Sequence, residues 1–274
     1  MGFGSFRHLK LSDYPDLKEV WYGNLEHKTF RCLKYLVVHK CDFLSDVLFQ
    51  PNLLEVLMNL EELDVEDCNS LEAVFDLKGE FAKEIVVQNS TQLKKLKLSN
   101  LPELKHVWKE DPHYTMSFQN LSDVSVAECK SLISLFPLSV ARDMMQIQSL
   151  QVGNCGIQEI VAKEGTEEIV KFAFPRLTSL TLEYLPKLKA FFLGVHSLQC
   201  KSLKTIKLFA CPNIELFKPE PLRHQESTRN DELNISKYQP LFVIEEVRVM
   251  LNSILALNMH AHILTFFNVL LARR

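Results

Sequence analysis

The stretch LEELDVEDCNSLEAVF, from Leu60 to Phe75, has the spacing of apolar residues that decides the fold. Its second and third apolar positions, Leu63 and Val65, alternate with polar residues at period two, which is typical of a short strand with one buried face. The apolar positions that follow recur every three residues, as a turning backbone that keeps pointing inward requires. The stretch therefore predicts a strand followed by a turn, with the apolar side chains on the inner side.

The same spacing returns along most of the chain, as L-x-x-L-x-L-x-x-[C/L]-x-x-L-x-x-[V/L/F]-[W/F]. The full pattern is also present in LKKLKLSNLPELKHVW from Leu93, LSDVSVAECKSLISLF from Leu121 and LTSLTLEYLPKLKAFF from Leu177. Four further segments share the frame, and the one from Ile147 has one residue deleted. The eight segments start at residues 6, 33, 60, 93, 121, 147, 177 and 203, about 28 residues apart on average.

This repetition predicts a solenoid. One repeat is too short to enclose a core, so neighbours must stack and their strands must form a parallel sheet. The mean period lies within the roughly 20 to 29 residues of leucine-rich repeats. We therefore expect an α/β leucine-rich-repeat solenoid, a curved horseshoe with short parallel β-strands on the concave face and irregular loops and short helical turns on the convex face. The segment FPLSVARDMMQI, residues 136–147, is expected to supply one or two helical turns on the convex side.

Composition divides the chain into three parts. Residues 1–217 are expected to form the leucine-rich-repeat domain, with about eight repeats. Residues 218–242 are rich in charge, Pro and polar side chains, which indicates a polar linker or loop. Residues 243–274 are expected to be a degenerate terminal repeat or a capping helix, since an open solenoid end must hide its last apolar layer. Four polar residues interrupt the apolar run Ile254 to Leu271, so membrane insertion is not favoured.

Seven cysteines raise the possibility of thiol chemistry. Five of them fall at one phase of the repeat, where the other repeats have Tyr14, Leu101 or Leu185; these five are Cys41, Cys68, Cys129, Cys155 and Cys211. A catalytic nucleophile occurs once, whereas a small hydrophobe can recur in a core, so we expect buried packing thiols. The N-terminus shows no secretory signal, which favours a reducing, cytoplasmic location and free thiols.

Other signs of catalysis or ligand binding are few. A net charge of -3 and a pI near 6.3 give no electrostatic reason to expect nucleic acid as a partner. The sequence has no G-x-x-x-x-G-K-[ST], no G-x-G-x-x-G, no H-E-x-x-H and no C-x-x-C motif. The H-x-H pair His260 and His262 has no third metal ligand suggested nearby. We therefore expect no enzyme activity, no cofactor and no metal site.

The candidate binding surface is the concave strand face. Its outward residues change from repeat to repeat while the strand leucines barely change, so the leucines build a scaffold and the outward residues can carry recognition. The protein-binding candidates are Tyr35, Val37, His39, Glu62, Asp64, Glu66, Lys95, Lys97, Thr181, Glu183, Lys207 and Phe209. The acids of the third repeat and the lysines of the fourth have an alternative role as ion pairs between neighbouring strands. Tyr35, Val37 and Phe209 are more suggestive of binding, because apolar groups on a solvated face have no solubility purpose.

The sequences of the repeats resemble those of a known family. FRHLKLSDYPDLKEVW from Phe6, LKLSNLPELKHVWK from Leu96 and LQVGNCGIQEIVAKEG from Leu150 are similar to the leucine-rich repeats of plant disease resistance proteins of the coiled-coil, nucleotide-binding type. The likeness spans Phe6 to about Phe217. It implies a non-catalytic, cytoplasmic protein-recognition module of plant innate immunity that senses pathogen effectors or modified host proteins. The implied partners are a pathogen effector, a guarded host protein or a nucleotide-binding receptor domain.

One departure from the family and one alternative function bear on this expectation. The family's nucleotide switch needs a phosphate-binding loop, and since this sequence has none, we expect the chain to lack the nucleotide-binding domain. The alternative function is a repeat-type substrate adaptor or scaffold, for example in ubiquitin ligase recruitment, because the repeats of such adaptors also use L-x-x-L-x-L-x-x-C. Those repeats usually continue with a T-D-x-G-like turn and a regular helix, whereas this sequence continues with x-x-L-x-x-V-W.

Overall fold

The computed structural model describes residues 6–13, 30, 32–44, 46–77, 89–112, 116–163, 170–194, 196–214 and 248–251. The expectations for Tyr14, the linker 218–242, the H-x-H pair and most of residues 243–274 lie outside these residues. Within them the chain is a parallel β-solenoid with few helices, in agreement with the fold class that the repeat predicts.

The main sheet has nine parallel strands, each paired with the main strand of the next turn. They are β1 (His8–Ser12), β2 (Tyr35–His39), β4 (Glu62–Glu66), β7 (Lys95–Ser99), β10 (Asp123–Ala127), β12 (Ser149–Gly153), β15 (Ser179–Glu183), β18 (Thr205–Phe209) and β19 (Arg248–Leu251). The first eight lie on the L-x-L steps of the repeats, and Leu36, Leu63 and Leu96 stand side by side. A shift of the strand pairing by one residue would turn every strand leucine towards solvent. The cost of that exposure keeps the strands in the observed register. Beyond β18 the sheet continues with β19, while the terminal repeat or capping helix of residues 243–274 stays a prediction.

A second, shorter strand follows in six of the described turns. Of these, β3 (Val47–Phe49), β5 (Ala73–Phe75) and β8 (His106–Trp108) form one parallel sheet, and β11 (Ser134–Phe136), β13 (Glu159–Val161) and β16 (Ala190–Phe192) form another. Two-stranded sheets pair β6 (Asn89–Ser90) with β9 (Met116–Ser117) and β14 (Val170–Ala173) with β17 (His196–Gln199). A 3-10 turn (Pro51–Leu53) leads into helix α1 (Leu54–Asn59), and helix α2 (Leu138–Asp143) lies inside the segment where a helical turn was expected.

Packing between neighbouring turns forms the core. Phe75 on β5 is fully buried, and its ring centroid lies 5.6 Å from that of Phe49, 5.5 Å from that of Trp108 and 5.4 Å from that of Phe118. Aromatic pairs of this kind contribute about 0.5–1.5 kcal/mol each beyond the area that they bury. Because each contact joins residues of different turns, the stability of one turn depends on its neighbours.

Each main strand from β1 to β18 is followed by a residue in the left-handed conformation. The backbone angle φ lies between 51° and 58° at Asp13, Lys40, Asp67, Asn100, Glu128, Asn154, Tyr184 and Ala210. This conformation costs roughly 1–2 kcal/mol for a residue other than glycine. Its N–H donates to the last carbonyl of the next strand, as Asp67 N does to Ser99 O at 3.1 Å. The left-handed residue turns the chain inward and directs the following side chain into the core.

That following position is the cysteine column that the repeat predicts. All five cysteines are 0–5% exposed, and Leu101 and Leu185 fill the same position in their turns. Each thiol donates to the carbonyl two residues earlier, at 3.1 to 3.4 Å. Burial raises the pKa of the Cys68 thiol to about 11, so it stays protonated near neutral pH. These cysteines therefore pack as small hydrophobes with one local hydrogen bond each.

Replacing Cys68 with serine should lower the free energy of unfolding by about 1 to 3 kcal/mol, because a hydroxyl then occupies a fully buried apolar site. Urea denaturation followed by circular dichroism measures the loss. Cys32→Ser is the matched control, since Cys32 is exposed, and it should stay within about 0.5 kcal/mol of wild type. A Cys68→Ser variant as stable as wild type would contradict the assigned packing role.

Candidate functional site

The outward residues of the main strands form one surface, here called the open face. Residues of successive strands stand side by side on it, as Val37, Asp64 and Lys97 do. All twelve candidates named from the sequence lie on this face, in two groups separated by β10 and β12. The first group, on β2, β4 and β7, is Tyr35, Val37, His39, Glu62, Asp64, Glu66, Lys95 and Lys97; the second group, on β15 and β18, is Thr181, Glu183, Lys207 and Phe209.

The charges of the first group are paired with each other. Lys95 Nζ lies 2.9 Å from Glu62 Oε1, and Lys97 Nζ lies 3.0 Å from Asp64 Oδ2. Hydrogen bonds to these carboxylates raise the pKa of both lysines. Pairs as exposed as these add little to the stability of the fold, because water and salt screen their charges. The geometry therefore matches the alternative role expected for these four residues, as ion pairs between neighbouring strands.

A stronger charge cluster lies just before the first group, at the N-terminal ends of the strands. Glu61 accepts hydrogen bonds from Lys34 of the preceding turn and from Lys94 of the following turn, the latter at 2.8 Å. The bond from Lys34, followed by the bond from Lys94, lowers the pKa of Glu61 to about 2. All three residues follow the first leucine of their repeats, so the same repeat position in three successive turns forms one bridge.

Two further residues of the first group, Tyr35 and His39, contact residues of neighbouring turns. The ring of Tyr35 stacks on His8, with centroids 4.3 Å apart and planes 5° from parallel. His39 Nδ1 lies 3.2 Å from Ser12 Oγ, and His39 Nε2 lies 3.1 Å from Asp67 Oδ2. The amide of Asn100 donates to Asp67 at 2.7 Å and is the main cause of the lowered pKa of Asp67. These hydrogen bonds satisfy polar side chains of four adjacent turns and so stabilise the fold itself.

The second group is different, because its side chains are not paired with each other. Among the described residues Lys207 has no ion pair, and it is exposed. The ring of Phe209 meets that of Tyr184 edge to face, with centroids 4.9 Å apart. Tyr184 is 53% exposed and was not among the sequence candidates. It occupies the left-handed position after β15, and an aromatic residue at this position was the signal that could have identified it.

Small side chains separate the two groups. The outward positions of β10 and β12 include Ser125, Ala127, Ser149 and Gly153, with Gln151 exposed among them. The open face is therefore low in its middle and carries longer side chains on both flanks. Such a profile can accept protruding side chains of a partner without a backbone rearrangement.

A polar cleft of about 450 Å³ lies elsewhere on the solenoid, where α2 stands beside the β6 and β9 pair. Ser117 of β9 donates to Asp143 at the end of α2, at 2.8 Å. The lining residues are Ser90, Ser117, Gln119, Asn120, Arg142, Asp143, Met145 and Gln146. The cleft was not predicted from the sequence, because it forms where helix α2 takes the place that the next short strand after β9 would have.

Two kinds of feature are absent from the described residues. No helix there is long and apolar enough to cross a membrane. No group of three or more histidine, cysteine, aspartate or glutamate side chains in the same part of the chain is placed to hold a metal ion.

One histidine is enclosed by aromatic rings away from the open face. The ring centroid of His196 lies 6.0 Å from that of Phe172, 6.4 Å from that of Phe191 and 5.6 Å from that of Phe192. His196 Nδ1 lies 2.9 Å from Gly194 O, whereas the buried Nε2 atom has no hydrogen-bond partner in the described structure. Burial lowers the pKa of His196, so the folded chain favours the neutral imidazole.

Acidification should therefore weaken the fold through His196. Because its pKa is lower in the folded chain than the ordinary value of 6.5, the unfolded chain binds the proton more readily. The stabilising contribution is present above the ordinary pKa and is lost as the pH falls below it. The measurement is the free energy of unfolding of wild type and of His196→Asn at about pH 7.5 and about pH 5. We expect the difference between the two proteins to fall at the lower pH; a difference independent of pH would contradict this assignment.

Comparison with known proteins gives one match. The family model described as plant disease resistance protein RPS2-like, leucine-rich repeats, matches residues 5–156, which is more than half of the chain. The matched range contains every main strand from β1 to β12 and ends directly after Cys155. No curated protein and no solved structure matches the chain.

Proposed function

The chain belongs to the family of RPS2-like plant disease resistance leucine-rich repeats, and from this membership we propose that it is a non-catalytic protein-recognition module of plant innate immunity. Its partner is a pathogen effector, a modified host protein or a nucleotide-binding receptor domain, met in the cytoplasm. The observation that carries the proposal is the open face: rows of inward leucine, valine and isoleucine side chains hold a row of outward side chains that differ from turn to turn. A curved sheet would make this face concave.

Within that face, the second group together with Tyr184 is the better candidate for the main contact. The charges of the first group already face opposite charges, and a partner would have to break those pairs to use them. In contrast, the exposed Tyr184 packs against the half-buried Phe209 beside the exposed Lys207. Aromatic residues dominate the energetics of protein interfaces because they bury a large area at a low entropic cost.

The sequence supports the assignment of nucleotide-dependent steps to another domain. It contains no phosphate-binding loop, so we propose that this module contributes recognition and that a separate nucleotide-binding domain supplies the switch. The alternative, a substrate adaptor of ubiquitin ligases, is less favoured. After Cys68 and Cys155 the chain enters the short strands β5 and β13, whereas the repeats of such adaptors usually continue with a regular helix.

The proposal predicts that changes on the second group abolish partner capture. The double variant Tyr184→Ser and Phe209→Ser removes this aromatic pair and should reduce capture of specific partners from plant cytosol by at least about tenfold. The readout is affinity purification followed by quantitative mass spectrometry, with circular dichroism to confirm that the variants fold.

Two control proteins make the result specific. Ile133→Ser removes a side chain that is 50% exposed in the turn before β11, away from the open face, and should capture the same partners as wild type. The double variant Lys95→Ser and Lys97→Ser removes the paired lysines of the first group and should have a smaller effect. Equal capture of partners by wild type and by the aromatic double variant would contradict the proposal that this part of the open face makes the main contact.

A further inference from the structure

Cys129 and Cys155 occupy the same column in neighbouring turns. Ala127 of β10 pairs with Gly153 of β12, and each cysteine lies two residues beyond its strand end, so the two are side by side. The N–H of Gly156 donates to the carbonyl of Cys129 at 3.1 Å and joins the two turns beside the thiols. Neighbouring strands are about 4.8 Å apart. This spacing is within the range of roughly 4.4 to 6.8 Å between the Cα atoms of a disulfide.

The sulfur atoms point towards the boundary between these turns. Cys155 Sγ lies 3.1 Å from Gly153 O and 3.8 Å from Val126 O, the second of which belongs to the neighbouring turn. Cys129 Sγ lies 3.3 Å from Ala127 O, one residue further along the same strand. A hydrogen bond with the Cys129 thiol is the main cause that lowers the pKa of Cys155 and raises that of Cys129. The two thiols therefore lie within hydrogen-bond reach of each other.

We propose that Cys129 and Cys155 form a reversible oxidation site, which closes to a disulfide between neighbouring turns when the protein meets a peroxide. In the first step the thiolate of one of the two cysteines attacks one oxygen of hydrogen peroxide, the O–O bond breaks, and the leaving hydroxide takes a proton to become water. The sulfur of the other cysteine then attacks the resulting sulfenic acid, the S–O bond breaks, and the proton of this second thiol leaves with the hydroxyl as a second water. Two thiols and one peroxide thus become one disulfide and two waters.

The cysteine column contains an internal comparison. Cys41 and Cys68 are also neighbours in the column, because His39 of β2 pairs with Glu66 of β4. Burial is the largest cause of the raised pKa of Cys68, whereas a hydrogen bond between the two thiols is the largest cause of the pKa shifts of Cys129 and Cys155. Cys129 and Cys155 are 0% and 2% exposed, so both pairs react only when a turn opens locally. The difference between the pairs is therefore the arrangement of the thiols rather than their exposure.

The test uses the full chain with Cys32→Ser, which removes the exposed thiol that would link two molecules. The folded protein is treated with hydrogen peroxide, remaining thiols are blocked with N-ethylmaleimide, and the digest is analysed by mass spectrometry without reduction. We expect a Cys129–Cys155 linked peptide that dithiothreitol removes, at a yield at least about tenfold above that of a Cys41–Cys68 linked peptide. In the additional variants Cys129→Ala and Cys155→Ala, dimedone should label the remaining cysteine of the pair as the sulfenic acid, because the resolving thiol is gone.

Three results would overturn the proposal. The first is absence of the Cys129–Cys155 linkage in the folded protein, with or without higher oxidation of either cysteine. The second is equal yields for the two pairs, since position in the column alone would then be sufficient. The third is a linkage that forms in urea but not in buffer, because the native arrangement would then contribute nothing. The linkage is measured in a protein that keeps both Cys129 and Cys155. The proposal can therefore be refuted even if the Cys129→Ala or Cys155→Ala variant does not fold.

Discussion

The variant Gly156→Ala should lose about 3 kcal/mol of unfolding free energy, more than any conservative change elsewhere in the cysteine column. Gly156 belongs to the repeat with one residue deleted, where C-G-I replaces C-x-x-L. A Cβ atom on Gly156 would lie 2.0 Å from Lys130 O, 2.9 Å from Lys130 C and 3.2 Å from Leu132 O. All three are backbone atoms of the neighbouring turn, so the clash cannot be relieved by a side-chain rotation.

Gly153→Ala is the matched control for this prediction. Gly153 lies three residues earlier in the same turn, and a Cβ atom there would meet only Glu183 O, at an ordinary distance of 3.8 Å. Its stability should stay within about 1 kcal/mol of wild type. Urea denaturation of both variants, followed by circular dichroism, measures the loss of unfolding free energy in each. Similar losses in the two variants would show that close approach of the backbone at Gly156 is not what the shortened repeat requires.

The second large effect is expected at the centre of the aromatic core. Phe75→Ala should lower the free energy of unfolding by about 3–5 kcal/mol, because it leaves a cavity among Phe49, Trp108 and Phe118. These rings belong to turns on both sides of Phe75, so the change weakens the contacts of more than one turn. In a solenoid, where each turn is stabilised by its neighbours, the transition should also become broader.

Phe6→Ala provides the comparison for the same chemical change at a more exposed site. Phe6 is 50% exposed, so the deletion removes less buried area and creates no enclosed cavity. We expect a loss of no more than about 1 kcal/mol. Thermal and urea unfolding of the two variants give the comparison. If Phe75→Ala were no more destabilising than Phe6→Ala, the aromatic cluster would not be the main contact between turns.

The period of the leucines is sufficient to place Glu62, Lys95, Lys207 and Phe209 on one face, because side chains alternate strictly along a strand. It also makes Glu62 and Lys95 neighbours on adjacent strands, so their ion pair was expected as an alternative to partner binding. The contact between Phe209 and Tyr184 was not predicted. The Glu62 and Lys95 contact depends on the rotamers of two long side chains, and the contact between Phe209 and Tyr184 depends on a left-handed residue outside the strand.

The amino-acid sequence by itself determined the repeat, the strand positions, the parallel order and the burial of the cysteine column. These follow from one apolar period, because each turn repeats the same local preference and can bury its leucines only against its neighbours. The tertiary structure alone decided the bridge from Glu61 to two lysines, the cleft beside α2, the close approach at Gly156 and the proximity of Cys129 and Cys155. Each of these features joins residues about 24 to 33 positions apart, and their distances are set by how neighbouring turns stack rather than by any local preference.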